Sequence, residues 1–348
     1  MNFASDNSSA AHPSVMEAVA AANRDYAMPY GKDPIMDRVR ARLREVFEAP
    51  QAAVYLVATG TAANALALAS YCQPFQAVFC HADAHINVDE CGAPEFYTTG
   101  SKLVLTQGRD AKMTPEGLDA AIRTTGGAVH SVQPGIVSLT NSTENGTVYS
   151  AEETRALCDV AKSHGLPVHL DGARFANAVV ATGASPAELS RKAGVDVVSF
   201  GGTKNGCLGV EAVVFFDPAK AWEFELRRKR GGHLFSKHRY LSAQMEAYLA
   251  DDLWLDLARA ANDAGRTLSD GISQAGGRLL HPTDANAVFA AFPRAAHRRL
   301  QDAGAAYYLW PGGQSLEGPD DELLSARMVC SWSTAPEETA RFLELLHG

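Results

Sequence analysis

The segment His169-Leu170-Asp171-Gly172-Ala173-Arg174 ends an apolar run in a carboxylate, a glycine and a cation. A buried carboxylate without a partner is costly, so Asp171 needs a positive charge where that run ends. The charge could come from Arg174, as a structural ion pair, or from the protonated ring nitrogen of a cofactor. A second segment, Gly201-Gly202-Thr203-Lys204-Asn205-Gly206, sets a lysine among glycines just after another apolar run. At the carboxyl end of a strand such a lysine lies where α/β sheets bind ligands, and desolvation there favours a neutral amine able to form a Schiff base. A solvated loop lysine is the plainer alternative. Thr59-Gly60-Thr61 follows a third run and opens a helix, so its N–H groups and hydroxyls can hold a phosphate at the positive end of the helix dipole. Neither a Walker A motif nor a G-x-G-x-x-G fingerprint is present, which argues against ATPase and NAD chemistry. His81 and His85 stand four apart without an H-E-x-x-H pattern, so no metal site is expected. A lone His85 is ordinarily a hydrogen-bonded loop residue. Arg227-Arg228-Lys229-Arg230 reads as a solvated helix face, but Gly231-Gly232 beside it allows a phosphate contact from Lys229 or Arg230.

Strands must place these residues. Apolar runs at 53–57, 77–80, 102–106, 135–140, 167–170, 195–200 and 212–216 are continuous more than alternating. That pattern predicts strands covered on both faces, in a mainly parallel sheet. Asp33-Pro34 and Thr114-Pro115 are cap-plus-proline helix starts, and Ser150…Glu153 and Ser185…Glu188 fit the capping box. Strands alternating with helices predict a three-layer α/β domain. From Ser236 a mostly helical stretch runs to about Ser273, followed by a strand at 287–292, a helix near 294–303, a strand at 327–332 and a helix from Pro336. We therefore expect a large domain over 1–245 and a smaller α+β domain over 246–348.

The 348 residues are 46% apolar and 20% charged, enough for a sizeable core, and no run reaches the ~20 apolar residues of a membrane helix. A net charge of −9 argues against nucleic acid or an anionic membrane as the main partner. The six cysteines form no C-x-x-C pair and are expected to be reduced and buried. The first residues lack a signal-peptide pattern, and a cytoplasmic protein is expected.

An imine-forming lysine, an aspartate for a pyridinium and a Gly/Thr phosphate cradle together describe a pyridoxal 5′-phosphate (PLP) enzyme. The chain resembles the fold-type-I PLP enzymes, and more closely the L-threonine aldolases. The resemblance is carried by Phe3-Ala4-Ser5-Asp6-Asn7, Tyr30-Gly31-Lys32-Asp33-Pro34, Thr59-Gly60-Thr61-Ala62-Ala63-Asn64, Asp171-Gly172-Ala173-Arg174 and Gly201-Gly202-Thr203-Lys204-Asn205-Gly206. It implies that Lys204 holds PLP covalently, Asp171 faces the ring nitrogen and His85 stacks on the ring. Gly60, Thr61 and Thr203 would hold the phosphate. Ser5, Arg174 and Arg327 would bind the substrate carboxylate, Arg174 also touching the ring hydroxyl. Tyr30 resembles a residue that reaches a neighbouring subunit's site, and the family is typically a homotetramer. Glu144 stands where some relatives carry a histidine that recognises the β-hydroxyl.

The implied reaction is retro-aldol cleavage of L-threonine, L-allo-threonine and related L-β-hydroxy-α-amino acids to glycine and an aldehyde, with His85, directly or through water, as the candidate base. Another fold-type-I activity, β-elimination or amino-group transfer, is the nearest alternative. A non-catalytic PLP-binding protein is the other.

Overall fold

The computed structural model describes residues 1–348. Seven strands, β1 (Ala53–Val57), β2 (Gln76–His81), β3 (Lys102–Thr106), β4 (Gln133–Thr140), β5 (Val168–Gly172), β6 (Val197–Gly201) and β7 (Glu211–Phe215), form one sheet in the order β1-β7-β6-β5-β4-β2-β3. The pairings among β2 to β6 are parallel, whereas β7 runs antiparallel to both β6 and β1. Strands β5, β6 and β7 are buried along their whole length, as continuous apolar runs require.

The helices at Pro34, Gly60, Pro115 and Ala151 start where the sequence places them. Asp33 caps Pro34–Val46 by accepting from the Met36 N–H at 2.9 Å, and the helix then buries Met36, Val39 and Leu43. Full burial of each such side chain contributes about 1.5–3 kcal/mol. Phe47, just past its end, packs on Phe175 and Phe200 with centroids 5.8 and 5.9 Å away. Helix Gly60–Ala69 leaves β1 at once, with Thr59 accepting from the Ala62 N–H at 3.2 Å. Its residues from Ala62 to Ala69 are all buried, so it is an inner helix, held close to the sheet by small side chains.

A second sheet contains β8 (Arg278–Leu279), β9 (Ala287–Pro293), β10 (Tyr308–Leu309) and β11 (Leu323–Val329), all antiparallel, in the order β10-β11-β9-β8. It has its own core, with Phe292, Leu300, Met328 and Phe342 joined by Phe3 from the start of the chain. The Phe3 N–H donates to Ala306 O and its carbonyl accepts from the Val329 N–H, both at 2.8 Å. Helices Arg239–Leu249 and Leu253–Gln274 link the two parts, and residues 245 and 246 lie inside the first of them. No helix is long and apolar enough to cross a membrane.

Three expectations need correction. The capping box at Ser185 closes, with the Ser185 N–H on Glu188 Oε2 at 2.8 Å and the Glu188 N–H on Ser185 Oγ at 3.3 Å, yet no α-helix follows. The Ser190 hydroxyl turns back onto Pro186 O at 2.6 Å and Gly194 takes a φ of 111°, which leaves room for a turn only. The strand expected at 327–332 is β11, which starts and ends earlier, because Cys330 already donates to Asn286 O outside the ladder. Five cysteines are buried, but Cys91 is exposed on a turn at a φ of 51°.

Close backbone approach sets the end of β6. A Cβ on Gly201 would lie 2.8 Å from Ala173 Cα, backbone that cannot retreat without moving Asp171. Gly201→Ala should lose roughly 1–3 kcal/mol, the usual cost of overpacking, read as an earlier urea midpoint at unchanged slope.

Candidate active site

At the carboxyl ends of β1, β5 and β6, a cavity of about 370 Å³ is lined by Gly60, Thr61, His85, Asp171, Thr203 and Lys204, with Asn7, Asn64, Asp89 and Glu211 beside them. This is the edge at which open α/β sheets bind ligands. Six of the residues singled out from the sequence therefore meet in one place.

One end of the cavity is the start of helix Gly60–Ala69. A Cβ on Gly60 would meet nothing within 4 Å, so the first-turn N–H groups look onto open space. That geometry suits a phosphate. The hydroxyl of Thr203 is already engaged: its oxygen accepts from the Val210 N–H at 3.1 Å, and it also favours the charged form of the nearby Glu211 carboxyl.

Asp171 is the penultimate residue of β5, in register with Thr140 and Ser199, and is 2% exposed. Its Oδ1 accepts from the Ala173 N–H at 3.0 Å and its Oδ2 from Asn64 Nδ2 at 2.9 Å. Both donors are neutral. The ion pair with Arg174 that the spacing allowed does not form, because Arg174 bonds Asp6 through Nε at 2.6 Å and Nη2 at 3.0 Å. Burial alone would raise the Asp6 carboxyl, but the charges of Arg174 and then Lys204 hold it below its ordinary value. Burial likewise opposes the Arg174 charge, and Asp6 outweighs it. Asp171 is thus a buried carboxylate, facing the cavity, without a cation of its own from Arg174.

His85 stands at the start of a short helical turn, with its Nδ1 2.8 Å from Glu90 Oε1. That hydrogen bond raises the imidazole above its ordinary value against the effect of burial. Asn64 Nδ2 donates to the same Glu90 oxygen at 2.9 Å as well as to Asp171, so one amide ties the two carboxyls together. Burial, and next to it the charge of Asp171 against the help of His85 and Asn64, raises Glu90.

Beyond the cavity lie the residues proposed for a substrate carboxylate. Ser5 caps the turn Asp6–Ser8 by accepting from the Asn7 N–H at 3.1 Å, which sets it beside the Asp6–Arg174 pair. Arg327 is lowered by burial and then by the charge of Arg174, and its guanidinium lies 5.9 Å from the Trp310 ring centroid. The charge of Glu144 acts on His85, Arg174 and Arg327 alike. These groups form one electrostatic cluster. Other candidates are elsewhere. Tyr30 is exposed, at a φ of 59°, with the Lys229 ammonium 5.2 Å from its ring centroid. Arg230 lines a separate cavity with Phe96, Tyr97 and Leu226. His81 turns from His85 to Gly108 O, at 3.1 Å.

Four residues of the site were not singled out by their chemistry: Asp6, Asn64, Glu90 and Glu211. Asp6 and Asn64 stand inside the quoted motifs, so their signal was present without a role. Glu211 is an acid at the head of an apolar strand, itself a signal of a buried function. Glu90 has no local pattern to mark it.

A family model described as beta-eliminating lyase matches residues 2–294. A low specificity L-threonine aldolase of Pseudomonas aeruginosa is 42% identical over 99% of this chain and 98% of its own length. Another, from a Pseudomonas species, is 39% identical over 99% of this chain and 95% of its own. A threonine aldolase of Leishmania major superposes with a TM-score of 0.92 at 28% identity, covering 99% of this chain and 98% of the other. A serine palmitoyltransferase of Sphingomonas wittichii, at 15% identity and a TM-score of 0.71 over 100% and 86% of the two chains, shares the fold. By descent and by architecture, the chain belongs to the beta-eliminating lyase family, in its low-specificity L-threonine aldolase branch.

Proposed function

We propose that this chain is a PLP-dependent aldehyde-lyase that cleaves L-threonine, L-allo-threonine and related L-β-hydroxy-α-amino acids to glycine and an aldehyde. The observation that carries the assignment of the site is the sharing of one cavity by Lys204 and by Asp171, a buried carboxylate bonded only to neutral donors. The donor set fits the cofactor. A helix start with open space over Gly60 suits its phosphate, Asp171 suits a protonated ring nitrogen, and the His85 imidazole on the same cavity suits stacking.

Lys204 would hold the cofactor covalently and yield to the substrate amine. Gly60 and Thr61, with Thr203 if its hydroxyl leaves Glu211, would hold the phosphate. Bound there, PLP supplies an electron sink for the pair released at Cα. Asp171 keeps the proton on the ring nitrogen, which makes that sink effective. Arg174, held in place by Asp6, would fix the substrate carboxylate together with Ser5 and Arg327, so that the Cα–Cβ bond is the one aligned for cleavage. His85, as a neutral imidazole and directly or through water, would take the β-hydroxyl proton; that proton balances the one delivered to Cα as glycine forms. Glu144 would face the substrate's hydroxyl end, where its charge reaches His85 and both arginines.

The 1–245 and 246–348 domain division, the cytoplasmic location and a homotetramer with shared sites belong to the same reading. Tyr30, Lys229 and the exposed Met28 and Phe235 would offer such a tetramer a surface outside this chain's own cavity. The family model's description keeps β-elimination as a second reading, separated from the first by an assay for pyruvate and ammonia.

The purified protein should release glycine and aldehyde in equal amounts from L-threonine, L-allo-threonine or L-phenylserine; a PLP-loaded protein that releases none would refute the assignment. Lys204→Ala should lose both turnover and the borohydride-sensitive absorbance of lysine-bound cofactor. Asp171→Ala should lower kcat on the order of 10²–10³-fold, the scale of losing one pre-organised electrostatic partner, and weaken cofactor retention. If neutral His85 is the base, the acid limb of the kcat/KM profile reports its titration. Glu90 raises His85, so Glu90→Gln should move that limb to lower pH; an unmoved limb would remove His85 from the role.

A further inference from the structure

Glu211 lines the cavity and has no part in the chemistry above. It opens β7, paired with Gly201 of β6 on one side and Val57 of β1 on the other, and is 6% exposed. Its Oε2 accepts from the Gly202 N–H at 3.1 Å, and the Thr203 hydroxyl favours its charged form. Both residues immediately precede Lys204 in the chain. Three buried carboxyls, Asp6, Asp171 and Glu211, stand around this lysine. Asp6 is paired with Arg174, and Asp171 is bonded to Asn64 and the Ala173 N–H. Glu211 accepts from the neutral Gly202 N–H, and the charge of Lys204 acts on it.

We propose that Glu211 is a positioning residue for Lys204: its carboxyl anchors the Gly202–Thr203 turn that presents the lysine and supplies the lysine's counter-charge from the cavity wall. The inference rests on the reading of Lys204 as the residue that holds the cofactor. Burial pushes the Glu211 carboxyl up to about 7, with the Thr203 hydroxyl, the Lys204 charge and the Gly202 N–H opposing and Asp171 adding to the rise. Besides Lys204 and Asp171, Cys207 and Tyr248 feel its charge and are kept neutral by burial, and His85 and Asp89 share its cavity. The wall beside Lys204 therefore gains a negative charge as pH rises through neutrality.

The test is the visible absorbance of the PLP-loaded protein, followed across the neutral pH range and without substrate. The wild type should show a spectral transition with a midpoint near 7. Glu211→Gln, an uncharged isostere, should abolish it. Thr203→Val removes a donor that favours the ionised carboxyl, so it should move the midpoint upward. This variant keeps the proposal testable if the glutamine variant does not fold. A transition that persists at the same midpoint in either folded variant overturns the role of Glu211. Borohydride reduction and peptide mapping of the wild type separate this from the underlying reading. Cofactor fixed on Lys204 with an unaltered transition defeats Glu211 alone, whereas cofactor fixed elsewhere or nowhere defeats both.

Discussion

The buried pair between Asp6 and Arg174 is the contact on which the rest of the site depends. Two parallel hydrogen bonds hold the guanidinium, and Asn286 adds a third donor to the same carboxylate at 3.1 Å. The pair thereby joins the first turn of the chain, the end of β5 and the second sheet. Breaking such a buried pair costs about 3–5 kcal/mol, so Arg174 is not free to swing three residues back onto Asp171. A guanidinium placed there would neutralise the carboxylate and close the cavity to a cationic ring. With Asp6 in place, Asp171 is left among neutral donors and Arg174 keeps a fixed direction.

The same logic of rigid support runs through the other half of the cavity. Asn64 sits on an inner helix whose residues from Ala62 to Ala69 are all buried, so its amide cannot drift. From that base it holds Asp171 with one hydrogen and Glu90 with the other, and Glu90 in turn fixes the His85 ring. The Asp171 carboxyl and, through Glu90, the His85 ring are thus held by a single amide. Second partners of this kind set tautomer and orientation as surely as the groups they support.

Much of this was legible in the sequence, for reasons that can be named. Continuous apolar runs placed all seven of the large sheet's strands within a few residues, because strands buried on both faces leave no polar alternation to confuse the pattern. Asp171, Lys204 and Gly60 were legible because each breaks such a run at its end. What could not be read was pairing across the chain. Arg174 stands three residues from Asp171, yet its partner is Asp6, and only the fold brings residue 6 to residue 174. The two-residue strands β8 and β10 carry no periodicity at all, and the capping box at Ser185 is a real local signal that the short path to Gly194 stops from becoming a helix.

Because β7 runs against its neighbours, its first residue, and not its last, lies at the ligand edge of the sheet. The chain from Gly201 to Glu211 is consequently a single tight excursion, opened and closed by a register pair. The lysine and its supporting carboxyl can meet early, by closing a loop of short contour, while the Asp6–Arg174 contact must wait for segments 168 residues apart in sequence. The two halves of the site therefore differ in their order of assembly. A fluctuation that detaches the first turn of the chain would dismantle the arginine end and leave the lysine end standing.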